Sequence, residues 1–180
     1  YDMLENEIDE YSAVMCKAEQ MFRDGILPKR ICHCDPKVNN ILFDKDGKIL
    51  CVIDLDTVMP SFVFSDFGDF LRTAANTAAE DEPDTSKVSF RMDIFKAFAR
   101  GYVESAKGFL TGIEKENLPF AACMFPFMQA VRFLTDYLNG DGYYKISYQD
   151  HNFVRAKSQM ALFKSALSHL DEMSDYIKSL

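Results

Sequence analysis

Apolar residues recur at steps of four and three in the first stretch of the chain: Leu4, Ile8, Tyr11, Met15, Ala18 and Phe22. Residues so spaced share one face of a helix, so the pattern predicts a single amphipathic helix whose stripe joins a core. Gly25 ends it and Pro28 keeps it ended. The period then changes. Two short β-type runs, Asn40 to Asp44 and Lys48 to Asp54, flank Asp44-Lys-Asp-Gly47, and Asp-Gly between such runs is a hairpin signal. Cys51 is expected to pack in a buried strand. A helix follows from Asp66, favoured by the alanines of its second half.

Helical spacing dominates the rest. Glu80 to Ser86 is acidic, contains a proline and reads as a solvated connection. Phe90, Ile94, Phe98 and Tyr102 predict a helix ending near Gly108, and another runs from about Pro119 to Leu138, with Pro126 expected to kink it. Asn139-Gly-Asp-Gly-Tyr-Tyr144 breaks the chain into a loop. One last long helix carries Phe153, Ala156, Met160, Phe163, Leu167 and Leu170. His151 and His169 read as surface residues. The fold class is α+β, mainly α, with one β-hairpin, and the 180 residues are expected to form one domain.

Composition narrows the partners. A formal charge of −8 and a pI near 4.9 argue against nucleic acid or an anionic membrane. Five cysteines without a framework spacing fit a reducing compartment, and the absence of a signal peptide pattern gives a cytoplasmic expectation. Cys32, His33, Cys34 and Cys51 lack the C-x₂₋₄-C spacing that lets two thiolates reach one zinc ion.

The chemistry concentrates in residues 31–56, ICHCDPKVNNILFDKDGKILCVIDLD. His33, Asp35 and Asn40 fit H-x-D-x-x-x-x-N, a phosphotransferase loop in which the Asp receives the acceptor hydroxyl's proton and the Asn holds a metal ion. His33 is expected to be structural. The hairpin folds Asp54 back beside Asn40, and their oxygens, with Asp56 as a further ligand or its neighbour, suit Mg²⁺. Asp66-Phe67-Gly68 spells the protein-kinase metal motif but stands thirty-one residues beyond Asp35. Asp66 reads instead as a helix-start carboxylate that accepts backbone N–H groups and braces the catalytic loop.

HCDPKVNNILFD followed by VIDLDTVMPSFVFSDFGDFLR resembles the aminoglycoside phosphotransferase and choline kinase superfamily, a protein-kinase-like fold, and most resembles its N-acetylhexosamine 1-kinase branch. The similarity covers roughly residues 28–165 and places the metal aspartate in the Ile53-Asp54-Leu55-Asp56 run. It implies a C-terminal lobe with its N-terminal lobe absent, since no glycine-rich loop or strand lysine precedes Ile31. It also implies ATP and Mg²⁺ as nucleotide and cofactor, with Asn40 and Asp54 on the nucleotide side. The acceptor-site helices and loop fall in residues 114–150, where Arg132 and Tyr143 would contact a sugar.

The resemblance thus implies phosphorylation of a sugar hydroxyl, the anomeric hydroxyl of an N-acetylhexosamine. Aminoglycoside, choline, homoserine and methylthioribose are rival acceptors, and a non-catalytic binding domain is the rival class. An alternative for Arg132 is a helical pair with Asp136, four residues on. The isolated chain is expected to be inactive and to self-associate through the bared face of residues 31–56.

Overall fold

The computed structural model describes residues 2–180. The chain runs through helices α1 (Asp2–Met15) and α2 (Lys17–Arg23), strands β1 (Arg30–Cys32), β2 (Ile41–Phe43), β3 (Ile49–Val52) and β4 (Met59–Ser61), and helix α3 (Val63–Ala74). Five more helices follow: α4 (Met92–Ala106), α5 (Gly112–Glu116), α6 (Leu118–Leu138), α7 (His151–Ser168) and α8 (Leu170–Ser179). The architecture is α+β and mainly helical.

Two small antiparallel sheets form the non-helical part. β2 and β3 make the expected hairpin, with Ile41 opposite Val52 and Leu42 opposite Cys51 before the register shifts at Phe43 and Ile49. β1 pairs with β4, Arg30 opposite Ser61 and Cys32 opposite Met59. That second pair was not foreseen, because three residues per strand show no period. β3 is exposed along its length, so Cys51 lies on the surface and not in a buried strand.

α6 is the central helix, packed mainly against α7 and α3, while α4 packs on α3 and α8. Phe64, Phe67 and Leu71 of α3, Phe95 of α4, Phe133 of α6, and Met160 and Phe163 of α7 are each at most 2% exposed and belong to one core. Phe67 meets Phe95 edge-on at 6.1 Å between ring centroids. α6 is long and apolar enough to cross a membrane, but 67% of its most apolar stretch is buried within this packing. It runs continuously through Pro126. α3 approaches it so closely at Gly68 that a Cβ there would stand 2.5 Å from the Ala121 carbonyl oxygen.

Two predicted helices are each divided. The first breaks at Cys16, which turns Met21 into the core and leaves Phe22 exposed against Phe62. Gly25, at φ 72°, then closes α2 as its N–H reaches the Phe22 carbonyl at 2.9 Å. The last breaks at His169, separating α7 from α8. His151 is also corrected: it is 3% exposed, stacked on Tyr148 and bonded to Asp81.

Candidate active site

The loop after β1 is held by side chains from three elements. Asp66, in the first turn of α3, points its carboxylate away from its own helix and accepts the backbone N–H of His33 at 2.9 Å and of Cys34 at 2.8 Å. Cys34 stands at φ 67°, and these two bonds supply the kind of support a left-handed non-glycine residue requires. From the turn after the hairpin, the Thr57 hydroxyl donates to the His33 carbonyl at 2.7 Å. The His33 ring accepts the Asp35 N–H at Nδ1, 3.3 Å, so Nε2 carries the proton and donates to the Ile53 carbonyl at 2.9 Å. His33 therefore ties the loop to the end of β3.

These ties fix Asp35. Asn40 donates its amide to the Asp35 carbonyl at 2.8 Å and to Asp35 Oδ2 at 3.1 Å, and Lys37 donates to the same Oδ2 at 2.7 Å. The bond to Asp35 outweighs burial and raises the Lys37 ammonium above its ordinary value, with Asp54 adding to it. Lys37 is thus a cation paired with Asp35, with Asp54 near enough to favour its charge. Burial pushes the Cys34 thiol up and the Cys32 thiol up to about 12, so neither presents a thiolate.

The hairpin brings Asn40 and Asp54 together. The Ile53 N–H donates to the Asn40 carbonyl at 2.9 Å, and Asp54 follows at φ 65° with an exposed side chain. With its amide N–H₂ spent on Asp35, the Asn40 side chain keeps its oxygen for another partner. Asp56 lies two residues on in the short turn Leu55–Thr57 and is exposed. Among the described residues no group of three His, Cys, Asp or Glu side chains could hold a metal ion. An amide oxygen and one carboxylate nonetheless fit Mg²⁺, a hard cation that keeps waters and takes its other oxygens from substrate phosphates.

Asp35, Arg132 and Tyr143 line one cavity of about 440 Å³. Arg132 does not pair with Asp136. Asp136 instead accepts the backbone N–H groups of Tyr143 and Tyr144 and the Asn152 amide, each at 2.9 Å, and so fixes the 139–150 loop. The Arg132 guanidinium lies 5.5 Å from the Tyr144 ring and 5.9 Å from the Tyr143 ring and donates to Gln129 at 3.4 Å. It faces the cavity without a carboxylate partner among the described residues.

Other lining residues were missed by sequence reasoning. Arg72 of α3 donates to Asp69 at 2.7 Å and also to Glu80, and all three face the cavity. Burial raises the Asp69 carboxyl against the opposing pull of Arg72; burial also works against the Arg72 cation, and its two carboxylates outweigh it. Glu80 opens the segment expected to be a solvated connection, and Asp81 beside it bonds His151 at 3.0 Å. Glu80 is thus part of the wall of the site, whereas residues 83–86 are exposed as expected. The available signal was Asp66, Asp69 and Arg72 at helical steps of three.

The family model described as the phosphotransferase enzyme family matches residues 8–106. The matched stretch contains Asp35, Asn40, Asp54, Asp66, Asp69 and Arg72, and it ends before Arg132 and Tyr143.

Proposed function

The chain belongs to the phosphotransferase enzyme family, and from that premise we propose that it is the C-terminal lobe of an ATP-dependent sugar kinase, acting on the anomeric hydroxyl of an N-acetylhexosamine. One observation carries the reading. Asp35, buttressed by Asn40, lines the same cavity as Arg132 and Tyr143, which come from about a hundred residues later in the chain. A carboxylate, a guanidinium with no carboxylate partner among the described residues and an exposed tyrosine ring around 440 Å³ suit a polyhydroxylated acceptor.

In this reading Asp35 accepts the proton of the attacking hydroxyl. Lys37 and Asn40 hold its carboxylate in place, so the loop presents it in one orientation. Arg132 donates to hydroxyl or acetamido oxygens, and Tyr143 covers a face of the sugar. Asn40 and Asp54 would hold Mg²⁺, with Asp56 beside them, and the ion would neutralise charge on the ATP phosphates. Phosphoryl transfer rests on such positioning, so a nucleotide-binding lobe over the exposed hairpin belongs to the proposal.

The test measures N-acetylglucosamine-dependent ADP release by the kinase that contains this lobe. Asp35→Asn should lower kcat by about 10² or more, with unchanged circular dichroism. Near-wild-type turnover in that variant would refute the role of Asp35.

A further inference from the structure

Eight charged side chains line the 440 Å³ cavity, and they divide by the elements that carry them. On the loop after β1, on α3 and on the segment after α3, every charge is matched: Asp35 receives Lys37 at 2.7 Å, and Asp69 and Glu80 both receive Arg72. The other three are Arg132 of α6, Lys145 of the 139–150 loop and Arg155 of α7. All three are cations, and none has a carboxylate partner among the described residues. Arg132 donates to the Gln129 side-chain oxygen at 3.4 Å, and Arg155 donates to the Asn152 side-chain oxygen at 3.0 Å and the Lys145 carbonyl at 3.2 Å, so every acceptor they meet is uncharged.

In an acidic chain this is informative. Asp and Glu number 28 against 20 Lys and Arg, so carboxylates are plentiful, yet those nearest in sequence are turned elsewhere. Asp136 takes the Tyr143 and Tyr144 N–H groups, Asp141 takes the Asn152 amide at 2.8 Å, and Asp150 takes the Tyr137 hydroxyl at 3.0 Å. The two guanidinium groups flank one pair of rings: Arg132 is 5.5 Å from the Tyr144 ring, which is 4.7 Å from the Phe133 ring, which is 5.3 Å from Arg155. A small anion in the cavity beside that pair is attracted from both sides. Arg132 and Lys145 are exposed and open to direct contact, whereas the Arg155 Nε is buried out of reach, so Arg155 acts through its charge. A neutral sugar would use the donors of Arg132 and leave the other two charges unanswered.

We infer that the acceptor N-acetylhexosamine carries an acidic substituent, a carboxylate, phosphate or sulfate, held by Arg132 and Lys145 in the field of Arg155. That the acceptor is a sugar rests on the sugar-kinase reading above; that it is negatively charged rests on the three cations. With the anomeric hydroxyl at Asp35, the substituents on carbons 4 and 6 stand at the other end of the ring, and the unmatched cations come from elements other than the one that carries Asp35. The phosphates of ATP fall to Asn40 and Asp54 in that reading, so they leave the charges on α6, α7 and the loop between them to the acceptor.

Calorimetric titration of the full chain, without nucleotide, compares N-acetylglucosamine 6-sulfate with N-acetylglucosamine. The sulfated sugar should bind about tenfold or more tightly, the scale of a hydrogen bond to a charged group, and its advantage should shrink as salt is raised. Lys145→Glu, at an exposed position outside the core, should abolish or reverse that advantage with unchanged circular dichroism. In the complete kinase the same variant should raise KM for the sulfated sugar severalfold more than KM for ATP. An advantage that Lys145→Glu removes upholds the anion site even if the complete kinase phosphorylates neither sugar, a result that would sink the kinase reading alone. A sulfated sugar that binds no more tightly than the neutral one overturns the proposal, and phosphorylation of the neutral sugar then leaves the acceptor reading standing. A rise in KM for ATP alone would assign the cations to the nucleotide phosphates and overturn it as well.

Discussion

At the scale of single residues, several side chains act far from their own element. Asp66 reaches out of α3 to two backbone N–H groups, and Asp136 reaches out of α6 to two more, each ordering a loop of the candidate site. Glu114 does the same between α5 and β1. It receives Nε and Nη2 of Arg30 at 2.7 and 2.9 Å and closes a capping box with Thr111. Burial pushes its carboxyl up, but the Arg30 and Thr111 bonds outweigh burial and leave it below its usual value of 4.5. A carboxyl lowered by folding stabilises fully above its unfolded pKa, and that contribution disappears as pH falls through the lowered folded value. Glu114→Gln should therefore cost about 1.5–3 kcal/mol at pH 7, the scale of a hydrogen bond to a charged group. The gap in Tm between wild type and variant should close as pH falls below about 4.5. A gap independent of pH in thermal melts would show that the Arg30 bonds contribute nothing through the charge.

At the scale of elements, the contact of α3 with α6 decides where the site residues stand. α3 carries Asp66 to the loop and Asp69 and Arg72 to the cavity, while α6 carries Arg132 to the same cavity. Their separation is set at Gly68, where an added Cβ would meet the Ala121 carbonyl oxygen and the Phe125 ring at 2.5 Å. Alanine favours helix over glycine by about 1 kcal/mol. Overpacking against a backbone oxygen costs about 1–3 kcal/mol, and the helices must also move apart. Gly68→Ala should thus lower Tm by a few degrees, at ~2–4 °C per kcal/mol for a chain of this size, and weaken the sugar binding proposed above with it. An unchanged Tm would mean that the two helices are not in close contact there. The hairpin and the cores of α4, α6 and α7 were legible, because apolar spacing over many residues reports the buried face. The breaks at Cys16 and His169 were not, since the spacing continues through both and tertiary packing decides them. Nor was the ion cluster of Asp69, Arg72 and Glu80, whose partners meet only once α3 is folded against the 80–82 segment. Residues 31–56 were readable because their chemistry is local in sequence.

At the scale of the whole molecule, apolar surface is distributed unevenly. The helical body leaves only scattered large side chains such as Met3, Val14 and Leu138 exposed, whereas Ile31, Leu42, Phe43, Ile49, Leu50, Val52, Leu55 and Met59 are exposed together on the strands and their turns, Leu50 by 62% and Ile49 by 59%. Neighbouring residues of a strand point to opposite faces, so both faces of the hairpin are bare. Apolar surface gathered in this way is the usual mark of a contact surface, and in the isolated chain another copy is the partner always at hand. The net charge of −8 opposes association, and added salt weakens that repulsion without weakening apolar contact. The isolated chain should therefore self-associate with rising concentration in light scattering, more strongly at high salt than at low. Ile49→Lys combined with Leu50→Lys places charge on both faces of β3 and should return it to a monomer while leaving Tm nearly unchanged, because neither side chain belongs to the core. A wild-type chain that stays monomeric at high salt and millimolar concentration would show that this face does not drive association.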